Sequence, residues 1–431
     1  MTHNAAQIFT YVLLDICLIL VAARVLGRIA AKIGQPAVVG EIVAGIALGP
    51  TVLGALPGNL MAQLFPADVV PYLKVLAQVG LVLFMFLVGL ELDVRVLRGR
   101  GRAAGAISLS SIVVPFTLGA AVALVLYPHH HLVANHEVSR TAFILFLGIA
   151  MSITAFPVLA RILSDRRMQH SIAGTFALAA AALDDVLAWT LLAFVVAVVK
   201  GGDAMEVVRI VGLTTLFAVL MLVLVRRLLV RLLNAFERAG RLTPDMLVLI
   251  LVGALGSAWI TDKIGIHAIF GAFLFGTILP HKDRFTREVL TRLEQVSVLL
   301  LLPLFFVVTG FGVDVGGLTI GAWLQLGMIL LVAVSGKLLG GYAGARLTRM
   351  PPRQSAAVAV LINTRGLTEL VILSVGRELG VLDDEMFTMM VLMALITTAM
   401  ATPVLDRIYP ARIFLTETGS PRPDDRTAAR R

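Results

Sequence analysis

Residues 171–199 read SIAGTFALAAAALDDVLAWTLLAFVVAVV, a run that is uncharged apart from the adjacent acids Asp184 and Asp185. At about 1.5 Å of rise per residue, a helix of this length exceeds the roughly 30 Å hydrocarbon core of a bilayer. A carboxylate near the bilayer centre costs about 2.5–3.5 kcal/mol on insertion scales, so an intramembrane acid is read first as functional. Two side by side point to ion or proton handling. The plainer alternative is a pair that only ties helices together.

The rest of the chain fits the same setting. Of 431 residues, 58% are hydrophobic and only 15% charged, the composition of an integral membrane protein with no sizeable soluble domain. The single cysteine, Cys17, lies in the first apolar stretch; this excludes a disulfide framework within the chain and a cysteine-based metal site, and Cys17 reads as a small packing residue. The segment ahead of that stretch lacks Lys and Arg, so a retained helix is expected rather than a cleaved leader. Stretches long enough to cross a bilayer are expected at 9–27, 37–55, 75–92, 104–127, 141–163, 171–199, 207–232, 245–262, 264–281, 296–314, 320–346, 355–376 and 386–407. The expected fold class is therefore all-α, with thirteen transmembrane helices and termini on opposite sides. Most of the 36 Lys and Arg residues fall beside connections that follow odd-numbered helices. Those following even-numbered helices hold only Lys74, Arg140, Lys200, Arg209, Lys263 and Arg377. Positive segments stay cytoplasmic, which places the N-terminus outside and the C-terminus inside. The same bias accounts for most of the net charge of +9 without a nucleic-acid partner. Arg95, Arg98, Arg100 and Arg102 read as a topology signal at an anionic leaflet.

Two basic residues fall in mid-membrane. Lys337 sits in SGKLLGG (335–341) and Arg365 in NTRGLTE (363–369). Neither can face lipid unpaired, so each predicts an acidic or carbonyl partner, with Asp184, Asp185 and Glu369 as candidates. Arg365 and Glu369 are four residues apart and can pair on one helix face; a direct gating or site role is the other reading.

The chain also repeats itself. GQPAVVGEIVAGIALGP (34–50) and GIHAIFGAFLFGTILP (265–280) match at Gly34/Gly265, Ala37/Ala268, Gly40/Gly271, Gly45/Gly276 and Leu48/Leu279, all at one offset. LFMFLVGLELDV (83–94) likewise echoes LFFVVTGFGVDV (304–315), with Gly89 matching Gly310. A shift of seven helices inverts the topology, the arrangement of many secondary transporters. Packing demand for small residues is the alternative source of the glycine matches. The shift pairs the fifth helix with the twelfth, and both read as broken at mid-depth. In the fifth, SITAFP (152–157) carries the Ser152 and Thr154 hydroxyls ahead of Pro157, which lacks a donor. In the twelfth, Asn363, Thr364, Arg365 and Gly366 stand at the corresponding depth. Paired discontinuous helices place carbonyls and half-helix dipoles beside a midplane site; a simple proline kink is the alternative for the fifth helix.

In this order, GQPAVVGEIVAGIALGP, GLVLFMFLVGLELD, SITAFPVLARIL, AAALDDVLAW, GIHAIFGAFLFG, SGKLLGG and NTRGLTELVIL closely resemble the membrane domain of the monovalent cation:proton antiporter-2 family. That family includes bacterial sodium/proton and potassium/proton antiporters and plant cation/proton exchangers. The resemblance covers nearly the whole chain and implies the sodium/proton antiporter fold over residues 1–410, followed by a short polar cytoplasmic tail at 411–431. It implies a homodimer with a dimerisation scaffold at about 9–92 and 245–314, a linker helix at 207–232 and a mobile core at about 104–199 and 320–407. By resemblance, Asp185 is the main cation and proton site, Asp184 the neighbouring acid, Lys337 its charge partner and proton carrier, and Ser152 and Thr154 the broken-helix oxygens near the ion. Pro157, Asn363, Thr364, Arg365 and Glu369 support the breaks. Members with both acids and the lysine resemble electrogenic exchangers. The location implied is a bacterial inner or plasma membrane.

The chemistry follows from the residues as well. Two carboxylates in a low-dielectric cavity can be neutralised by a proton or by a cation, and competition for one site enforces exchange. The expected function is exchange of a monovalent cation, Na+ first and K+ next, for protons; the alternative is a K+ channel-like pathway or uniporter without proton coupling. No nucleophile–base pair or metal-ligand cluster stands out, so neither an enzyme nor a cofactor is expected. After Arg407 only the tail follows, so no fused nucleotide-binding regulatory domain is expected. His129, His130, His131 and His136 read as a solvated outside loop, with metal binding or titration as the alternative. Asp15 and Glu41 lie in the expected scaffold, and Glu91 and Asp93 either form an ion funnel or pair with Arg95.

Overall fold

The computed structural model describes residues 4–91, 101–133, 136–166, 168, 171–201 and 204–410. The tail, Asp93 and the cluster Arg95, Arg98 and Arg100 lie outside these residues. The helices in chain order begin with α1 (Ala5–Lys32), α2 (Ala37–Leu48), α3 (Leu60–Leu64), α4 (Val70–Glu91) and α5 (Gly101–His130). A two-residue hairpin, β1 (Leu132–Val133) with β2 (His136–Glu137), precedes α6 (Arg140–Ser152), α7 (Phe156–Asp165) and α8 (Ile172–Gly201). Next come α9 (Ala204–Leu220), α10 (Arg226–Ala239), α11 (Pro244–Ile264), α12 (Ala268–Ile278), α13 (Asp283–Val296) and α14 (Leu302–Gly310). One π-helical turn joins α9 to α10 and another joins α13 to α14. The last four are α15 (Ile320–Leu347), α16 (Pro352–Ile362), α17 (Leu367–Glu378) and α18 (Asp384–Ile408).

The described residues are almost wholly helical, and ten helical stretches among them are long and apolar enough to cross a membrane. Within the expected crossings at 37–55, 264–281 and 355–376 the helices are shorter: α2 (12 residues), α12 (11), and the pair α16 (11) and α17 (12), with residues 363–366 between the last two. Large side chains such as Phe9, Trp259 and Leu324 are more than half exposed. That outward apolar surface suits a lipid solvent, in which only internally satisfied backbones survive. Cys17, expected to pack, instead sits exposed on α1, because the buried positions of that helix fall to its neighbours Asp15 and Ile19.

The chain divides into two compact units. The first comprises Met1–Ile29, Gly40–Asp93 and Leu192–Gly317. Its glycines mark where backbones meet: a Cβ on Gly40 would lie 2.2 Å from the Leu26 carbonyl oxygen of α1, and one on Gly271 2.0 Å from that of Ser257 in α11. A Cβ on Gly45 would meet the Val307 carbonyl oxygen of α14 at 2.7 Å, and one on Gly276 that of Phe86 in α4 at 2.1 Å. The matched glycines therefore make equivalent close approaches, the kind that small residues permit between membrane helices. Asp15 is buried in this unit, and neither of its carboxylate oxygens has a hydrogen-bond partner among the described residues.

The second unit comprises Ala30–Val39, Val94–Leu191 and Leu318–Arg431. Here α5 packs along α15, and α15 along α16 and α18. An apolar core formed by Ile107, Leu159, Ala177, Ala181, Leu361 and Leu405, among others, holds these helices. The helix α5 runs past Pro128 to His130, three residues beyond the expected limit, which corrects the loop reading for His129 and His130, whereas His131 and His136 lie beyond the helix. His130 is 1% exposed; its Nδ1 lies 2.6 Å from Asp383 Oδ2 and its Nε2 2.8 Å from Gln325 Oε1. His129 and His136 stay exposed.

Candidate functional site

The site is built where two short helix pairs in the second unit come apart. Helix α6 ends at Ser152 and α7 starts at Phe156, with Ile153 and Ala155 in extended backbone between them. Pro157 occupies the first turn of α7, where its missing N–H costs nothing. Helix α16 ends at Ile362, and α17 begins at Leu367 after Asn363, Thr364, Arg365 and Gly366. The two interruptions touch: the Ala155 N–H donates to the Thr364 carbonyl at 3.1 Å, and the Thr154 hydroxyl lies 3.0 Å from the Ile362 carbonyl. Buried backbone groups freed from a helix must find partners, and here each interruption supplies some of the other's.

Arg365 supplies more. It is fully buried, and its guanidinium donates to the Ala150 carbonyl (2.8 Å), the Met151 carbonyl (2.5 Å) and Glu369 Oε2 (2.9 Å). A cation at a helix C-terminus complements the partial negative charge of its free carbonyls. Arg365 thus closes the end of α6 while pairing with Glu369 in the first turn of α17. Its backbone is held by Thr398 of α18, whose hydroxyl donates to the Arg365 carbonyl at 2.7 Å and lies 3.2 Å from its N–H.

Lys337 reaches the same centre from α15. A Cβ on Gly340 would lie 2.5 Å from the Ser110 carbonyl oxygen, and one on Gly336 2.9 Å from Pro115 Cα. Helices α5 and α15 therefore run backbone against backbone, with the lysine between these glycines. Its ammonium donates to the Thr154 hydroxyl at 2.7 Å and lies 3.6 Å from Asp184 Oδ2, both side chains fully buried.

The two aspartates, adjacent on α8, have different surroundings. Asp184 accepts from Ser108 (2.5 Å to Oδ1), Ser111 (3.1 Å to Oδ2) and Thr154 (2.8 Å to Oδ2). Asp185 is equally buried, yet neither of its oxygens accepts a hydrogen bond of normal geometry among the described residues. The Phe156 amide, at the N-terminus of α7, is the backbone donor that bears on it. A bare buried carboxylate facing a helix N-terminus is costly unless something neutralises it.

The structure thus brings Asp184, Thr154 and Lys337 into one hydrogen-bonded group, and Arg365 and Glu369 into another. Ser152 is buried, but its hydroxyl turns back to the Ile149 carbonyl at 2.8 Å. Thr364 likewise bonds the Leu361 carbonyl at 2.7 Å, and Asn363 Oδ1 has no hydrogen-bond partner among the described residues. Ser108, Ser111 and Thr398 were not singled out from the sequence. The signal for the first two was the polar run ISLSS (107–111) inside an apolar stretch.

Comparison with known proteins locates this arrangement. A family model described as "Sodium/hydrogen exchanger, transmembrane" matches residues 18–409. The Na(+)/H(+) antiporter NhaS4 of Synechocystis sp. is 39% identical over 401 residues, covering 93% of this chain and 97% of that protein. Cation/H(+) antiporter 20 of Arabidopsis thaliana is 39% identical over 416 residues, covering 94% of this chain and 49% of that one. K(+)/H(+) antiporter 1 of Saccharomyces cerevisiae is 32% identical over 417 residues, covering 95% and 47%. The chain therefore spans nearly all of the cyanobacterial relative and about half the length of the plant and yeast ones. Among solved structures, the sodium proton antiporter MjNhaP1 from Methanocaldococcus jannaschii at pH 8 matches with a TM-score of 0.60 at 14% identity, over 95% of this chain and 99% of that one. At that identity the likeness speaks for the fold alone.

Proposed function

The chain belongs to the sodium/hydrogen exchanger family of cation:proton antiporters, and we propose that it exchanges a monovalent cation, Na+ first and K+ next, for protons at Asp185. It is a multi-pass integral membrane protein of a transporter family rather than an enzyme family. The observation that carries the site assignment is the buried Asp185 carboxylate, without a side-chain donor among the described residues, beside an Asp184–Thr154–Lys337 group. A buried carboxylate left without side-chain donors is completed by a proton or by a dehydrated cation, and either excludes the other. The carbonyls and hydroxyls at the two interruptions, those of Ser152 and Thr154 among them, are suited to replace part of the cation's hydration shell.

In this reading α6/α7 and α16/α17 are the two broken crossing helices of inverted repeats. The short α2 and α12 complete thirteen crossings, with the N-terminus outside and the C-terminus cytoplasmic. The second compact unit is the mobile core and the first, apart from the linker helix, the dimerisation scaffold of a homodimer in a bacterial inner membrane. The core moves readily only when the site charge is compensated, which gives alternating access. Lys337, paired with Asp184, releases its proton when the cation takes over neutralisation, which makes exchange electrogenic. Pro157, Asn363, Thr364, Arg365 and Glu369 hold the breaks open.

The test is dissipation of a pH gradient in proteoliposomes, read with a fluorescent proton probe after addition of Na+ or K+, for the wild type and Asp185→Asn. Cation-triggered proton movement in the wild type and none in the variant is expected, and the more effective ion names the substrate. Cation flux without a proton signal would replace this reading by a channel-like pathway or uniporter.

A further inference from the structure

Asp184 and Asp185 are adjacent in sequence and equally buried, but their hydrogen bonding is opposite. A carboxylate has about four lone-pair sites on its two oxygens. On Asp184, Ser108 takes Oδ1 at 2.5 Å, Ser111 lies 3.4 Å from Oδ1 and 3.1 Å from Oδ2, and Thr154 takes Oδ2 at 2.8 Å. Lys337 completes the ring 3.6 Å from Oδ2. These groups crowd both oxygens of Asp184. On Asp185 the same positions are vacant of side-chain donors. Consecutive helix positions point about 100° apart, so the two carboxylates open onto different surroundings.

Ser108 and Ser111 are three residues apart on α5 and face one carboxylate, whereas Ser110 between them turns to the Gly340 carbonyl of α15 at 2.8 Å. A buried serine in a helix commonly satisfies itself on its own backbone. Ser111 has that option, 2.9 Å from the Ser108 carbonyl, but Ser108 makes its bond to Asp184. Both serines are at most 1% exposed.

We propose that Ser108 and Ser111 are positioning residues that hold the Asp184 carboxylate toward Thr154 and Lys337 and so tune cation affinity at the neighbouring Asp185. This rests on the exchange reading above and adds to it two neutral hydroxyls that act through Asp184. The hydroxyls fix the Asp184 carboxylate with Oδ2 toward Thr154 and Lys337. Without them the carboxylate is free to turn toward the ion and bind it or a proton alongside Asp185. The serines touch neither cation nor proton; they act through Asp184.

The experiment is proteoliposome exchange over a range of pH with Na+ and with K+, for the wild type, Ser108→Ala/Ser111→Ala, Asp184→Asn, and Asp184→Asn carrying both serine changes. Hydrogen bonds to a charged group are worth about tenfold or more each, so the double serine variant is expected to lower the cation KM by at least about tenfold. Its KM should depend more steeply on pH, because two carboxylates then compete for protons, with kcat within about twofold. In the Asp184→Asn background the serine changes are expected to be silent, and Ser108→Thr/Ser111→Thr, which keeps the hydroxyls, is expected to restore the wild-type pH profile. Where the double variant does not assemble, Ser108→Ala and Ser111→Ala singly carry the same comparison. An unchanged KM and pH profile overturns the proposal, and so does an equal change with and without Asp184, which marks a packing role. Absence of any cation-driven proton signal in the wild type refutes the exchange reading itself, a different outcome from either.

Discussion

Arg365→Met removes a buried side chain with three acceptors while keeping an apolar group of similar length. The wild-type guanidinium serves three acceptors, the carbonyls of Ala150 and Met151 and the Glu369 carboxylate, all within 2.9 Å. Removing one partner of a buried ion pair costs about 3–5 kcal/mol, because the other charge stays buried alone. Each carbonyl left without a donor adds about 1–3 kcal/mol, although such losses are not additive within one network. The expected destabilisation is therefore at least about 3–5 kcal/mol. For a cooperative unit of 150–250 residues this corresponds to a fall in Tm on the order of 10 °C. The second variant, Arg365→Met/Glu369→Met, removes both charges, and a buried pair replaced by apolar groups is often close to neutral. It should recover most of the loss, leaving the share due to the two carbonyls. Both are read by thermal unfolding of purified protein in one detergent, followed by tryptophan fluorescence. A loss below about 1 kcal/mol in the single variant, or a double variant no more stable than the single, would refute the argument that Arg365 closes the end of α6.

Lys337→Gln should make transport less sensitive to membrane potential, measured as exchange rate under imposed potassium diffusion potentials; unchanged sensitivity removes Lys337 as a charge carrier. Gly340→Ala places a Cβ 2.5 Å from the Ser110 carbonyl oxygen, whereas Gly327→Ala meets nothing within 4 Å. The first should therefore cost about 1–3 kcal/mol, the range for overpacking, and the second almost nothing, and equal melting temperatures would contradict the close α5–α15 approach. His130→Ala leaves Asp383 Oδ2 and Gln325 Oε1 without the ring nitrogens beside them. A loss of about 1–3 kcal/mol is expected, against none for His129→Ala, which alters an exposed neighbour; comparing the two melting curves checks it.

The parts of this protein legible in its sequence are those where burial contradicts residue type. Asp184, Asp185, Lys337, Arg365 and Glu369 announce themselves because charge is rare in apolar stretches, and the Arg365–Glu369 spacing already allows the bond that the structure forms at 2.9 Å. Glycine spacing is legible for a related reason: where two backbones must meet, only one residue type fits, and Gly45 and Gly276 each stand against a partner backbone. Hydroxyls carry no such signal. Ser108 and Ser111 resemble any serine in a membrane helix until the direction of α5 relative to α8 is known, and periodicity alone does not give it. The histidines mislead in the opposite sense, because a polar run after Pro128 reads as loop, while the helix continues to His130 and buries that one ring of the four.

The same contrast separates the two adjacent acids. A sequence offers Asp184 and Asp185 as near-equivalents, and their burial is equal. What separates them is the supply of donors: α5, α7's preceding turn and α15 converge on Asp184, while Asp185 is left beside the Phe156 amide. A fully satisfied carboxylate fixes a neighbouring ammonium, and an unsatisfied one is available to a mobile ion. The asymmetry arises from tertiary placement of neutral hydroxyls, so substitutions at uncharged positions of α5 should reshape ion affinity without altering any charge in the membrane.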